Sequence, residues 1–155
     1  MKFGSQGVID PKFDDSGAIL IYKEHADPKE VDVVREGIIQ EAVKAEMGRM
    51  RSFNFFIKDS QSQVIGGIAG YTMYGLLYTD MLWIDSKFRN KKWASKLLQT
   101  AEQLGRDRKC KFACLVTMSW QALPLYQKHN YSIEYIREGF DRNAKMYILR
   151  KELAV

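Results

Sequence analysis

Between Trp83 and Leu98 the chain reads WIDSKFRNKKWASKLL: an apolar strand end, a short basic loop and the start of an amphipathic helix. Arg89, Asn90, Lys91 and Lys92 fall where the first backbone N–H groups of that helix have no intrahelical partner. Such a helix start favours an anion through its free N–H groups and its dipole, and the neighbouring cations strengthen the preference. The chemistry offered is phosphate binding; a solvated basic turn is the plainer alternative. A second candidate is Asp80, a carboxylate inside the apolar run LLYTDMLWID. A carboxylate is costly to bury unless it is paired. Asp80 is therefore either a base or cation-docking group, or a structural carboxylate held by a tyrosine or a backbone amide. Strict alternation puts it on one face with Leu82 and Ile84, opposite Thr79, Met81 and Trp83.

Other chemistries find less support. Cys110 and Cys114 are the only cysteines, not spaced as a CxxC pair, and two thiols cannot build a four-sulfur site. His25 and His129 stand far apart with no companion ligand pattern, so no metal is expected. The net charge of +5 and a pI near 9.1 arise from scattered basic residues without an arginine-rich or lysine-rich arm, which makes nucleic acid an unlikely main ligand. A phosphate-bearing small molecule would need only the 87–92 cluster. No apolar stretch approaches the roughly 20 residues of a membrane span, and the N-terminus lacks a signal-peptide core, which predicts a cytoplasmic protein.

The elements that position these residues follow from pattern and turn chemistry. At 155 residues, with 46% hydrophobic and 28% charged, one ordinary globular domain is expected. Residues 1–17 read as an irregular lead-in and 18–155 as the domain. Ala18–Lys23 is a strand candidate. Asp27-Pro28 starts a helix whose apolar residues run from Val31 to Ala45, with a break near Gly37. Three strands follow, at Ser52–Lys58, Gln63–Tyr74 and Leu76–Asp85, joined by short turns as a meander. Trp93–Arg108 is a helix with Leu97, Leu98, Ala101 and Leu104 on one face. Phe112–Met118 is a buried strand, parallel to Leu76–Asp85 because a helix separates them. Gln121–His129 is a short helix, and Tyr131–Glu138 and Ala144–Lys151 are the last strands.

With that order and that loop, the chain resembles the GNAT superfamily of acyl-CoA-dependent N-acyltransferases over roughly Ala18 to Leu153. The family loop, Arg/Gln-x-x-Gly-x-Gly/Ala, aligns with Arg89-Asn90-Lys91-Lys92-Trp93-Ala94, followed by Leu97-Leu98. A later family segment matches Ala122-Leu123-Pro124-Leu125-Tyr126-Gln127-Lys128-His129-Asn130-Tyr131. Lys92 replaces the first signature glycine; it is expected in an ordinary helical conformation with its charge toward the anion.

The resemblance implies an α/β fold: a mixed, mostly antiparallel sheet of about seven strands with a central parallel pair, flanked by helices. It implies acetyl-CoA as cosubstrate, no metal, and direct attack by a primary amine in a ternary complex. Arg89 to Ser95 (Arg89, Asn90, Lys91, Lys92, Trp93, Ala94, Ser95) would then cradle the pyrophosphate. Leu82, Trp83 and Ile84 would pair with pantetheine through their backbone, an N–H of Leu82 or Trp83 serving as oxyanion donor. Tyr126 would protonate the leaving thiolate. Thr117 and Ser119 would bond the coenzyme or position Tyr126, and Asp80 would act as base or amine dock. Tyr71, Tyr74 and Tyr78 are acceptor-pocket candidates; Glu41 and Glu46 are read first as solvated helix residues. The acceptor is open, and a homodimer is compatible with the family. A coenzyme-binding regulatory module without turnover, suggested by Lys92, and a small basic nucleic-acid-binding domain are the rival readings.

Overall fold

Turn residues and helix caps divide this chain much as its pattern predicts. The computed structural model describes residues 6–10 and 16–153. They fall into two units, 1–46 and 47–155. In the first, β1 (Gln6–Asp10) pairs antiparallel with β2 (Leu20–Lys23), followed by α1 (Pro28–Lys44). Asp27 caps α1 by accepting from the Lys29 N–H at 2.9 Å, with Pro28 in the first turn where its missing N–H costs nothing. Two expectations change. The lead-in contains a strand, and α1 runs unbroken through Gly37, because one glycine lowers helix propensity by about 1 kcal/mol without forcing a break.

The second unit is a six-stranded sheet: β3 (Arg51–Lys58), β4 (Val64–Met73), β5 (Leu76–Ile84), β6 (Phe112–Met118), β7 (Ser132–Arg137) and β8 (Met146–Glu152), in the order β3-β4-β5-β6-β8-β7. Every neighbouring pair is antiparallel except β5 and β6, which α2 (Trp93–Asp107) joins as a parallel crossover. α3 (Leu123–Lys128) links β6 to β7. Tyr74 and Gly75 both have positive φ (52° and 85°), which makes the β4–β5 connection a two-residue hairpin turn with the right twist for its strands. Leu97, Leu98 and Ala101 of α2 are buried with Leu77, Ala113, Leu115 and Leu149 of the sheet. Beneath them Glu102, also buried, is paired with Lys151 at 2.6 Å. Among the described residues no helix is long and apolar enough to cross a membrane.

Candidate active site

The site begins where β5 changes partners. Its parallel pairing to β6 runs from Leu76↔Phe112 to Thr79↔Leu115 and stops there, although β5 continues to Ile84 and β6 to Met118. At the same point the register to β4 slips: Gly70 faces Thr79 and Ala69 faces Met81, so Asp80 is the extra residue of a β-bulge. A Cβ at Gly70 would collide with the Tyr78 carbonyl oxygen, which is why glycine stands opposite the bulge. The two parallel strands then part.

The bulge corrects the expected facing of Asp80. Alternation had grouped it with Leu82 and Ile84. Instead the inserted residue resets the alternation: Leu77 and Thr79 point inward before it, Ile84 after it, and Asp80 itself is exposed. No burial cost arises for its carboxylate.

Backbone directions follow from the β4 pairing. Asp85 N–H donates to Ile65 C=O at 2.9 Å. Hydrogen-bonded positions alternate in an antiparallel ladder, so Trp83 and Met81 turn their N–H and C=O groups toward β4, while Leu82 and Ile84 turn theirs toward the gap. Of the Leu82 and Trp83 N–H groups, only that of Leu82 points into the gap.

Between the parted strands and α3 lies a cleft of about 860 Å³, lined among others by Asp80, Met81, Leu82, Trp83, Ile84, Arg89, Trp120, Gln121, Leu125 and Tyr126. Among the described residues, Asp80 and Arg89 are its only charged lining residues. Beside it is a hollow of about 270 Å³ against Asn90, Lys92, Trp93 and Ser95; Ile84, Arg89, Ala94 and Leu125 line both spaces.

The loop between β5 and α2 is held at both ends. Asp85 accepts from the Lys87 N–H at 2.9 Å, and Arg89 Nε donates to Ile84 C=O at 3.0 Å. Asn90 and Lys92 both have φ of 61°. The expected helical conformation of Lys92 is therefore wrong. Lys92 is the N-cap of α2 and takes the left-handed geometry that the family's glycine adopts readily, at a cost of about 1–2 kcal/mol for a side chain. It supplies no side-chain cap. The first helical bond runs from Lys96 N–H to Lys92 C=O at 3.0 Å, and the N–H groups of Trp93, Ala94 and Ser95 have no partner among the described residues. Free N–H groups in a turn with left-handed residues form an anion-binding concavity. Lys91 does not line the hollow; its Nζ lies 5.6 Å from the centre of the Phe88 ring.

Across the cleft, Tyr126 is buried, and its hydroxyl has no hydrogen-bond partner among the described residues. Its ring meets Tyr131 edge-on at 6.1 Å. Burial raises the Tyr126 phenol above its ordinary value, so it stays protonated.

Other candidates fall elsewhere. Thr117 and Ser119 do not line the cleft: Thr117 Oγ1 bonds the Gln121 side-chain oxygen at 3.2 Å, and Ser119 Oγ accepts from Lys145 N–H at 3.2 Å. The first secures the turn that enters α3, and the second ties that turn to the residue before β8. Tyr74 sits in the hairpin turn at the opposite end of β5. Tyr71 and Tyr78 stack with ring centres 5.1 Å apart and do not line the cleft; burial first, with the Asp80 charge contributing, raises both phenols. Glu41 pairs with Lys44 at 2.8 Å, and Glu41 and Glu46 belong to the first unit. The sequence reading passed over Met81, Trp120 and Gln121. Trp120 is 68% exposed just after β6, and a tryptophan at a strand end was the available signal.

A mixed α/β domain whose central parallel strands part beside an uncapped helix start is built to admit an extended, phosphate-bearing ligand. Comparison with known proteins makes this specific. Residues 20–131 match the model of the acetyltransferase (GNAT) family, and the chain belongs to that family. It is 34% identical over 82 residues to an acetyltransferase of Agrobacterium fabrum, a match covering 53% of this chain and 60% of that one. It is 27% identical over 97 residues to the blasticidin-S acetyltransferase of Streptomyces morookaense, covering 60% and 69%. A crystal structure of an acetyltransferase from Bacillus cereus superposes with a TM-score of 0.70 at 23% identity, covering 85% of this chain and 97% of that one.

Proposed function

We propose that this chain transfers an acetyl group from acetyl-CoA to the primary amine of a small molecule. The observation that carries the reading is the gap opened where β5–β6 pairing ends at Thr79 and Leu115, with Tyr126 among the residues that line it. The residues fit the coenzyme. The free N–H groups of Trp93, Ala94 and Ser95, with Lys92 and Arg89 nearby, suit its phosphates. The outward amides of Leu82 and Ile84 suit an extended arm laid along β5 as a further strand. When bound, the thioester supplies an activated acyl carbon. The Leu82 N–H would polarise its carbonyl, and Tyr126 would give its proton to the departing thiolate.

The cleft is electrically polarised. Arg89 marks the phosphate end, while Asp80, exposed at the bulge, offers a carboxylate to a cationic amine or to the water that deprotonates it. Met81, Trp83 and Trp120 are 61%, 52% and 68% exposed around that cleft, which favours an acceptor with an apolar or planar body. The similarity to blasticidin-S acetyltransferase supports a small-molecule acceptor. The regulatory-module reading rested on Lys92, and Lys92 holds the dihedral angles a glycine would. A nucleic-acid binder would instead show steeply salt-dependent affinity.

Acetyl-CoA at millimolar concentration should raise the melting temperature, and an amine panel with a thiol-release readout should identify acceptors. The absence of any thermal shift sinks the proposal. Tyr126→Phe should lower kcat by about 10²–10⁴-fold with coenzyme affinity preserved. An alkyl amine of pKa about 10.4 gains its attacking lone pair as pH rises. Burial holds the Tyr126 phenol above its ordinary value, so it keeps its proton through neutral and mildly alkaline pH, and the rate should climb from neutrality with no falling limb in that range. A falling limb near neutrality would remove Tyr126 as donor.

A further inference from the structure

We infer that His129 is a positioning residue that ties the phosphate end of the coenzyme site to the proton donor; this rests on the acetyl-CoA reading above. The imidazole Nε2 lies 2.9 Å from Ser95 Oγ. Ser95 is in the first turn of α2, lines the 270 Å³ hollow, and carries one of the three free N–H groups. His129 is the C-cap of α3, three residues after Tyr126, and its own N–H bonds the Leu125 and Tyr126 carbonyls at 3.2 and 3.0 Å. One side-chain hydrogen bond therefore joins the helix that receives phosphate to the helix that carries the phenol.

The start of α2 needs such a tie. A serine, aspartate or asparagine N-cap would anchor it locally, but the Lys92 side chain cannot accept a hydrogen bond, and its backbone is in a conformation unfavourable to a side chain. Two side-chain bonds replace the cap. Arg89 Nε holds the loop to β5 through Ile84 C=O, and His129 holds the helix to α3 through Ser95. The first fixes the loop against the floor of the cleft. The second sets the distance between the free N–H groups and Tyr126, so phosphate binding and presentation of the phenol are adjusted together. Leu125, which lines both spaces, is the packed wall between them.

The test is a double-mutant cycle on His129 and Ser95, read three ways: affinity for acetyl-CoA and for adenosine 3′,5′-bisphosphate, kcat at saturating coenzyme, and melting temperature. His129→Ala and Ser95→Ala should each weaken both ligands about three- to tenfold, the worth of one hydrogen bond, and lower kcat as well. The double variant should be no worse than the poorer single, because the two changes remove the same bond. His129→Gln, whose amide nitrogen reaches the place of Nε2, should recover most of the loss. If His129→Ala does not fold, Ser95→Ala and His129→Gln carry the same comparison. Wild-type affinity and kcat in folded variants, with only the melting temperature lowered, overturn the inference, as do additive losses in the double variant. A wild-type protein that binds neither ligand overturns the acetyl-CoA reading itself, a failure distinct from the first.

Discussion

The two halves of β5 are made from similar residues and do different work. From Leu76 to Thr79 the strand is paired on both edges, to β4 and to β6, and its alternation is regular: Leu77 and Thr79 are buried and Tyr78 is half-buried on the other face. From Asp80 to Ile84 it keeps only β4. One inserted residue separates the halves. The bulge bends the strand, resets its facing, and leaves the backbone groups of Leu82 and Ile84 without a neighbouring strand. Backbone polar groups demand partners; Arg89 Nε satisfies the Ile84 carbonyl, and water or a ligand must supply the rest. An open edge is thus obtained from a core strand at the cost of one irregularity, with glycine at position 70 making room for it.

The contrast is broken most severely in the closed half. Leu77 is fully buried against α2 and the sheet, and Leu77→Ala should cost about 2–5 kcal/mol by denaturant unfolding. Met81, just past the bulge and 61% exposed, should tolerate alanine within about 0.5 kcal/mol. Equal losses at both positions would mean that the open half is packed as core. A smaller effect is expected at Asp80. Asp80→Asn should raise KM for the amine about tenfold, the value of one hydrogen bond to a charged group, and leave stability nearly unchanged because the side chain is exposed. A large stability loss with normal kinetics would return Asp80 to a structural role.

The same boundary divides what could be read from the sequence. Elements with strong periodicity or turn chemistry were legible: Asp27-Pro28 as a helix start, Gly75 as the break between two strands, the apolar face of α2, and the parallel crossover that places Arg89 to Ser95 after β5. The facing of Asp80 was not, because a bulge is a property of two strands, visible only when Gly70 is set against Tyr78. Thr117 and Ser119 were misplaced for a related reason. Their positions at a strand end were right, but their hydroxyls are engaged by Gln121 in the turn that follows and by Lys145, 26 residues away from Ser119. The Ser95–His129 bond spans 34 positions, and no local pattern announces it.

The smallest effect expected concerns Lys92, at the start of α2 beyond the open half, and it separates conformation from charge there. At φ of 61° a lysine strains the backbone where glycine would not. Lys92→Gly should therefore stabilise the protein by up to about 1 kcal/mol, since relief of strain is partly offset by the greater freedom of glycine in the unfolded chain. Lys92→Ala keeps the strain and removes the charge, so it should not stabilise. If the charge contributes to holding phosphate, both variants weaken acetyl-CoA to the same degree. If close backbone approach matters more, Lys92→Gly binds more tightly than Lys92→Ala, and the departure from the family's glycine is then a matter of tolerance rather than use. Stability and coenzyme titrations on this pair decide between them, because both variants remove the charge and only Lys92→Gly removes the strain.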